Sequence, residues 1–199
     1  MNHRYCAEYG KLKLRPLHLC DIERLRIWRN DAEISRYLSP VPYISMEMQK
    51  QWYQDYLADD GILFFAVTEK AEERVIGTAA LYDFREQSCE AGKIVIGDKT
   101  KKGQGFGCHS LLALLWIGIA ELGMKKFRLQ VCEDNTAARH MYLKAGFTET
   151  GRHPFIRGGS ELCMEMTDTQ FWQYHKIQDD IHIYLEGKPD GGQEKICIT

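Results

Sequence analysis

The sequence predicts one α/β domain built on a mixed, mostly antiparallel sheet flanked by helices. Three observations carry this. Apolar strand patterns follow one another in "ILFFAVTE", "RVIGTAALYDF" and "CEAGKIVIG", separated only by the polar turns "KAEER" and "REQS", which favours an antiparallel meander. A glycine-rich loop, "KKGQGFG", then runs directly into a leucine-rich helical segment. After it a strand, "KKFRLQVCE", a helix, "TAARHMYLKA", and two further strands, "FTETG" and "ELCMEM", complete the alternation.

Taken in chain order, "KLKLRP" reads as a strand that ends at Pro16, and Asp21 is placed to cap a helix whose apolar residues Ile22, Leu25 and Trp28 recur at helical spacing. That helix stops near "WRND". A short helix, "AEISRYL", leads into "SPVPY", where two prolines enforce an extended loop, and Ser45 caps a third helix through Leu57. The helix after the glycine loop is closed by Gly123 at a position that needs φ > 0. Phe127, Leu129 and Val131 share one face of the next strand, and Asn135 or Asp134 caps the helix that Gly146 ends. From Thr167 the character changes: "FWQYHK" reads as a helical turn, and "IHIYLEG" and "EKICIT" as a β-hairpin about "KPDGG". The expected organisation is therefore a domain over residues 1–167 and an extension over 168–199, whose hairpin covers a sheet edge or forms a homodimer contact.

At 199 residues, 44% apolar and 27% charged, the chain has material for one packed core. A net charge of -2 supplies no basic field for nucleic acid. Seven cysteines lie scattered without a C-x-x-C pair, which points to reduced thiols and away from a zinc site or a disulfide framework. The N-terminal stretch has no apolar leader pattern and no apolar run reaches transmembrane length, so a cytoplasmic protein away from membranes is expected.

The loop with Gly103, Gly105 and Gly107 raises the question of which phosphate it holds. A P-loop requires Gly-Lys-Ser/Thr, which is missing. A dinucleotide fingerprint requires G-x-G-x-x-G, and the third slot falls on Cys108 or Ser110 depending on the starting glycine. What remains is a run of backbone N–H groups at a positive helix end, suited to an anionic phosphate, or a tight turn used only for packing.

The wider pattern resembles the GNAT superfamily of acetyl-CoA-dependent N-acetyltransferases, in particular its ribosomal-protein alanine N-acetyltransferase-like branch. The family loop, [R/Q/W]-G-x-G-x-[G/A], is matched by Lys102 to Gly107, preceded by "IGDK" at Ile96 to Lys99. Further on, N-x-x-A-x-x-x-Y-x-K-x-G-F is matched by Asn135, Ala138, Tyr142, Lys144, Gly146 and Phe147, and "LRPLHLCDIERLRIWRND" resembles the opening strand and helix. The resemblance covers residues 11–166. Lys102 departs from the family's more frequent Arg, Gln or Trp, which leaves the backbone donors unchanged.

The resemblance implies acetyl-CoA as cosubstrate and a sheet splayed between its fourth and fifth strands, taken as Cys89–Gly97 and Lys126–Glu133. It implies that the amides of Gly103, Gln104, Gly105, Phe106 and Gly107 grip the pyrophosphate, where a Cβ at Gly103 or Gly105 would hold the phosphate oxygens away. Lys102 adds charge, Ile94 and Ile96 flank the strand edge that pairs with the pantetheine arm, and Asn135 belongs to the same binding set. The family's tyrosine, here Tyr142, protonates the coenzyme A sulfur. Asn135, Ala138 and Tyr142 fall at i, i+3 and i+7, on one helix face.

For a general base, strand parity puts Glu90 on the side of Gly92, Ile94 and Ile96, and related enzymes often carry a carboxylate there. An alkylammonium with a pKa of about 10 is protonated at neutral pH, so a carboxylate acting directly or through water assists its deprotonation. A backbone N–H near Ile96 or Gly97 is the expected oxyanion donor. His140 and His153 are alternative proton carriers, although His140 lies off the Tyr142 face. For the acceptor the fold nominates Trp28, Arg29, Asn30, Tyr82, Asp83, Arg152, His153 and Arg157. Arg29, Arg152 and Arg157 suit an anionic acceptor, Asp83 and Glu90 a cationic amine, so amino sugar, protein N-terminus and polyamine all stay open. A non-catalytic acyl-CoA-binding module with this fold is the alternative reading.

Overall fold

A computed structural model describes residues 3–176 and 180–187. It opens with a hairpin of β1 (Tyr5–Tyr9) and β2 (Leu12–Pro16), in which Tyr9 pairs with Leu12 across a turn whose Gly10 has φ of 54°. The sequence predicts no strand at β1, because "YCAEY" alternates only weakly and Gly10 is the one turn signal. Helices α1 (Ile22–Asn30), α2 (Ala32–Ser35) and α3 (Met46–Ala58) follow, then the meander β3 (Ile62–Glu69), β4 (Arg74–Arg85) and β5 (Ser88–Ile96). The second half comprises α4 (Phe106–Ala120), β6 (Lys126–Cys132), α5 (Thr136–Lys144), β7 (Thr148–Pro154), β8 (Ser160–Thr167), α6 (Asp168–Tyr174) and β9 (Ile181–Leu185).

All nine strands form one sheet in the order β7-β8-β6-β5-β4-β3-β2-β1-β9. Every pairing is antiparallel except β5 with β6, which is parallel and covers three pairs, Ser88–Lys126, Cys89–Phe127 and Glu90–Arg128. Beyond Glu90 the two strands part, although β5 continues to Ile96 and β6 to Cys132. The splay falls between the expected segments, but these are the fifth and sixth strands because β1 precedes the others. β9 pairs with β1 along Tyr5–Leu185 to Tyr9–Ile181, so part of the C-terminal extension does cover a sheet edge. The expected partner strand "EKICIT" lies outside the described residues.

A bulge in β5 corrects the parity assigned to Glu90. Gly92 pairs with Ala80 and Val95 with Thr78, so β5 uses one residue more than β4, and Lys93 takes a positive φ of 51° at the insertion. Glu90, Gly92 and Val95 therefore share the face of their partners Tyr82, Ala80 and Thr78, whereas Ile94 and Ile96 turn to the opposite face and pack against the α4 side.

Two cores sit on the two faces of the sheet. On one, α4 is apolar all round and buries Leu111, Leu114, Leu115 and Ile117 against Phe65, Leu81 and Phe127. On the other, Leu25 and Trp28 of α1 and Tyr53 and Tyr56 of α3 cover Phe64, Ala66 and Ala80. Each large side chain fully removed from water contributes roughly 1.5–3 kcal/mol. Asp21 stands at the N-cap position of α1, but its carboxylate makes no capping bond. It is turned back to Arg15 in a two-pronged pair at 2.7 and 2.8 Å.

His3 is buried beside Phe65, with Nε2 3.0 Å from the carbonyl of Phe64. Burial lowers its pKa from 6.5 to about 4. The folded state thus holds a neutral imidazole that the unfolded chain protonates more readily. The associated stability is complete above about pH 6.5 and lost as the pH falls toward 4. Urea melts at pH 7 and pH 4.5 are expected to show a smaller acid-induced loss in His3→Phe than in the parent, and equal losses would contradict this assignment.

Candidate active site

Where β5 and β6 part, the fold leaves a cleft of about 640 Å³, walled by α1, the segment after α2, the open edge of β5 and the face of α5. Its size is that of a small-molecule site. Asn135, Ala138 and Tyr142 all line it, as their common helix face requires. Asn135 also caps α5, its carboxamide oxygen accepting from Ala138 N–H at 3.3 Å. Tyr142 is 7% exposed and packs edge-on against Phe147. Burial pushes its phenol up to about 12, so the hydroxyl keeps its proton at neutral pH.

Glu90 lines the same cleft, as do Trp28, Arg29, Tyr82 and Ile94. The Tyr82 phenol is pushed up by burial and by the neighbouring Glu90 carboxylate. Trp28 packs so tightly on the end of β5 that a Cβ at Gly97 would overlap its indole ring. Asn30 does not line the cleft. Its side chain both donates to and accepts from the backbone of Ile44, at 3.0 and 2.9 Å, and so holds the proline loop as the cleft's wall. The same loop is tied down by Arg157 Nε to Leu38 O at 3.0 Å and Tyr37 Oη to Asp134 O at 3.3 Å.

Two acceptor candidates stand elsewhere. Asp83, in a positive-φ position of 50°, pairs with Arg85 at 3.0 Å and Arg128 at 3.2 Å at the closed end of β4. Arg152 is exposed and pairs with Glu133. Neither side chain lines the cleft: Asp83 is held by cations of β4 and β6, and Arg152 by the carboxylate that follows β6. His153 Nδ1 lies 3.8 Å from Glu161, and His140 is exposed, in line with its position off the Tyr142 face.

The glycine loop lies at the N-terminus of α4. Gly103 and Gly105 adopt φ of 75° and 85°, and a Cβ would meet nothing within 4 Å at Gly103 and only His109 at Gly105. Glycine is thus required here by the left-handed backbone. The first bond of α4 runs from His109 N–H to Gly105 C=O at 3.0 Å, leaving the amides of Phe106, Gly107 and Cys108 without intrahelical acceptors. Phe106 itself is a core side chain, 2% exposed, so only its backbone is available. Gln104 donates to Thr100 O at 2.8 Å and Lys102 pairs with Glu33 at 2.9 Å. The Gly97 N–H, a nominated oxyanion donor, is spent on Ile76 O at 2.9 Å. Ile96 sits on the core side, next to Gly107.

Lys93, Glu161, Trp52 and Tyr37 also line the cleft and escaped the sequence reading. Lys93 extends over the Tyr82 ring, 4.7 Å from its centroid, an arrangement created by the bulge. Nothing in "AGKIV" announces the insertion, although a lysine inside an apolar strand is an available signal.

A model of the acetyltransferase (GNAT) domain matches residues 11–148. Among curated proteins the chain is similar to an N-acetyltransferase 9-like protein of Caenorhabditis briggsae, 26% identical over 78% of this chain and 82% of that one. It is likewise 26% identical to the spermidine N(1)-acetyltransferase of Escherichia coli K12, over 83% of this chain and 90% of the relative. Among solved structures, spermidine N-acetyltransferase from Vibrio cholerae in complex with CoA and spermine superimposes with a TM-score of 0.75 at 25% identity, over 81% of this chain and 98% of that one. No helix among the described residues is long and apolar enough to cross a membrane.

Proposed function

The chain belongs to the GNAT acetyltransferase family, and from that premise we propose that it transfers an acetyl group from acetyl-CoA to a primary amine by direct attack within a ternary complex. The observation that carries the proposal is the meeting of Tyr142 and Glu90 in one cleft at the parting of β5 and β6. The donor residues fit the cosubstrate. The amides at the start of α4 lack intrahelical acceptors, the left-handed glycines free the approach to them, and β5 from Ala91 to Ile96 has no ladder partner on its β6 side. Acetyl-CoA, when bound, supplies the activated acyl group and a thiolate leaving group.

The chain's own residues meet the remaining needs. The loop from Lys102 to Gly107 binds the pyrophosphate with the helix dipole behind it, Lys102 exchanging Glu33 for a phosphate oxygen. Ile94 and Ile96 support the open edge of β5 from the core side. Glu90 takes one proton from the incoming ammonium, directly or through one water, and the neutral amine attacks. As the C–S bond breaks Tyr142 gives its proton to the departing sulfur, and the second proton lost by the acylated nitrogen restores the phenol through water. Trp28, Arg29 and Tyr82 shape the acceptor end, with Asn30 holding the loop that closes it. A polyamine, the acceptor named for the similar spermidine N-acetyltransferases, enters here as a member of the panel to be tested, together with protein N-termini and amino sugars. A cytoplasmic location accords with acetyl-CoA as cosubstrate.

Thiol release from acetyl-CoA across that panel tests the reading. Turnover of at least one amine is expected. Glu90→Gln is expected to lower kcat/KM by about 10²-fold at pH 7, and by less as the pH rises toward the pKa of the acceptor ammonium, where more of the amine arrives already neutral. CoA binding with no turnover of any amine would sink the proposal.

A further inference from the structure

Three cations converge on the acceptor end of the cleft, and among the described residues none of them has a carboxylate partner. Arg29 and Lys93 line it, and Arg157 stands at its rim beside the proline loop. Arg29 donates only to the carbonyl of Ser39, at 3.2 Å, and Lys93 rests on the Tyr82 ring. Elsewhere on the molecule, cations such as Arg15, Arg26, Lys70 and Lys101 sit on carboxylates at 2.6–2.7 Å.

Two carboxylates, Glu90 and Glu161, also line the cleft, but neither makes an ion pair with this group among the described residues. Asp83 is held by Arg85 and Arg128, Glu161 lies against His153, and Glu90 faces the Tyr82 phenol. Burial lowers the basicity of both Arg29 and Lys93. Arg157 presses further on Arg29, and Arg29 on Lys93, where the Glu90 carboxylate pulls the other way. Like charges so arranged oppose one another until an anion lies between them, and guanidinium groups prefer carboxylate or phosphate oxygens in a forked geometry. The α4 loop, which serves the cosubstrate phosphates, is not part of this cluster.

We infer that the acceptor is a small primary amine that also carries a phosphate or carboxylate group, held by Arg29, Lys93 and Arg157 while its amine faces Glu90. This rests on the acetyltransferase reading and narrows it. A polycation such as spermidine, the acceptor named for similar enzymes, would meet the same cluster as a repulsive wall.

The test compares matched amines at saturating acetyl-CoA: an amino sugar, its phosphate ester, its nucleoside-diphosphate ester, an amino acid with its amide, a neutral N-terminal peptide, and spermidine. An anionic member is expected to exceed its neutral counterpart in kcat/KM by about 10- to 100-fold, mostly through KM, with spermidine below both. The phosphate and carboxylate arms show which anion is read. Arg29→Gln, and Lys93→Gln as a second variant, are expected to cut the anionic-to-neutral ratio by about tenfold while thermal melts and the KM for acetyl-CoA hold. Spermidine or the neutral peptide outranking every anionic amine overturns the inference and leaves the acetyltransferase reading standing. So does an unchanged ratio in both variants, or a rise in the KM for acetyl-CoA matching that for the amine. CoA binding without turnover of any amine overturns the two together.

Discussion

Tyr142→Phe is expected to lower kcat for acetyl transfer by about 10²- to 10⁴-fold while leaving CoA affinity and the melting temperature nearly unchanged. The magnitude follows from what the hydroxyl is proposed to do. A phenol held by burial at a pKa of about 12 stays protonated at neutral pH, so its proton is available when charge develops on the departing sulfur. The small stability effect follows from packing. The ring remains against Phe147, and the hydroxyl makes no hydrogen bond within the described residues, so its removal orphans no partner. Steady-state kinetics beside a thermal melt separate these effects. A fall in kcat of less than about threefold would assign proton delivery to water or to another group.

The sequence made most of the frame legible because the relevant signals are local. The apolar runs of β3, β4 and β5, the Ser45 cap and the glycines after α4 and α5 are all short-range features, and Gly123 and Gly146 take positive φ of 65° and 99°. The spacing of Asn135, Ala138 and Tyr142 puts them on one helix face, and that face lines the cleft. What escaped depends on long-range partners. β1 and β9 are weak strands alone and hold because each completes the other's ladder. The bulge at Lys93 shows only in the register between β5 and β4, and it reverses the face of Ile94 and Ile96 while setting Lys93 over Tyr82. Asp83 and Arg152 carried suitable charges, but Arg128 and Glu133 claim them, and such competition is invisible without the fold.

Asp21→Ala is expected to destabilise the fold by about 3–5 kcal/mol, a drop in Tm of roughly 10 °C for a chain of this size. Asp21 is 4% exposed, and its carboxylate accepts both prongs of Arg15 together with the His18 N–H at 2.8 Å. Removing it leaves a guanidinium whose side chain is 14% exposed without its counter-charge, with only the Pro16 carbonyl and the His18 ring beside it, and frees a backbone donor. The penalty therefore comes mainly from the uncompensated charge and the unpaired N–H. The double variant Arg15→Met with Asp21→Ala is expected to recover part of the loss, since no buried charge then stands alone. The consequence extends to the site. Arg15 lies one residue before the end of β2 and Asp21 directly precedes α1, so this pair fixes the helix that carries Trp28 and Arg29 to the cleft. Below its melting temperature, Asp21→Ala is expected to raise the acceptor KM more than it lowers kcat, because α1 supplies acceptor contacts whereas Tyr142 and Glu90 are held by α5 and β5. A Tm within about 2 °C of the parent would show that Arg15 finds water or another acceptor, and that α1 is anchored by its Leu25 and Trp28 packing alone.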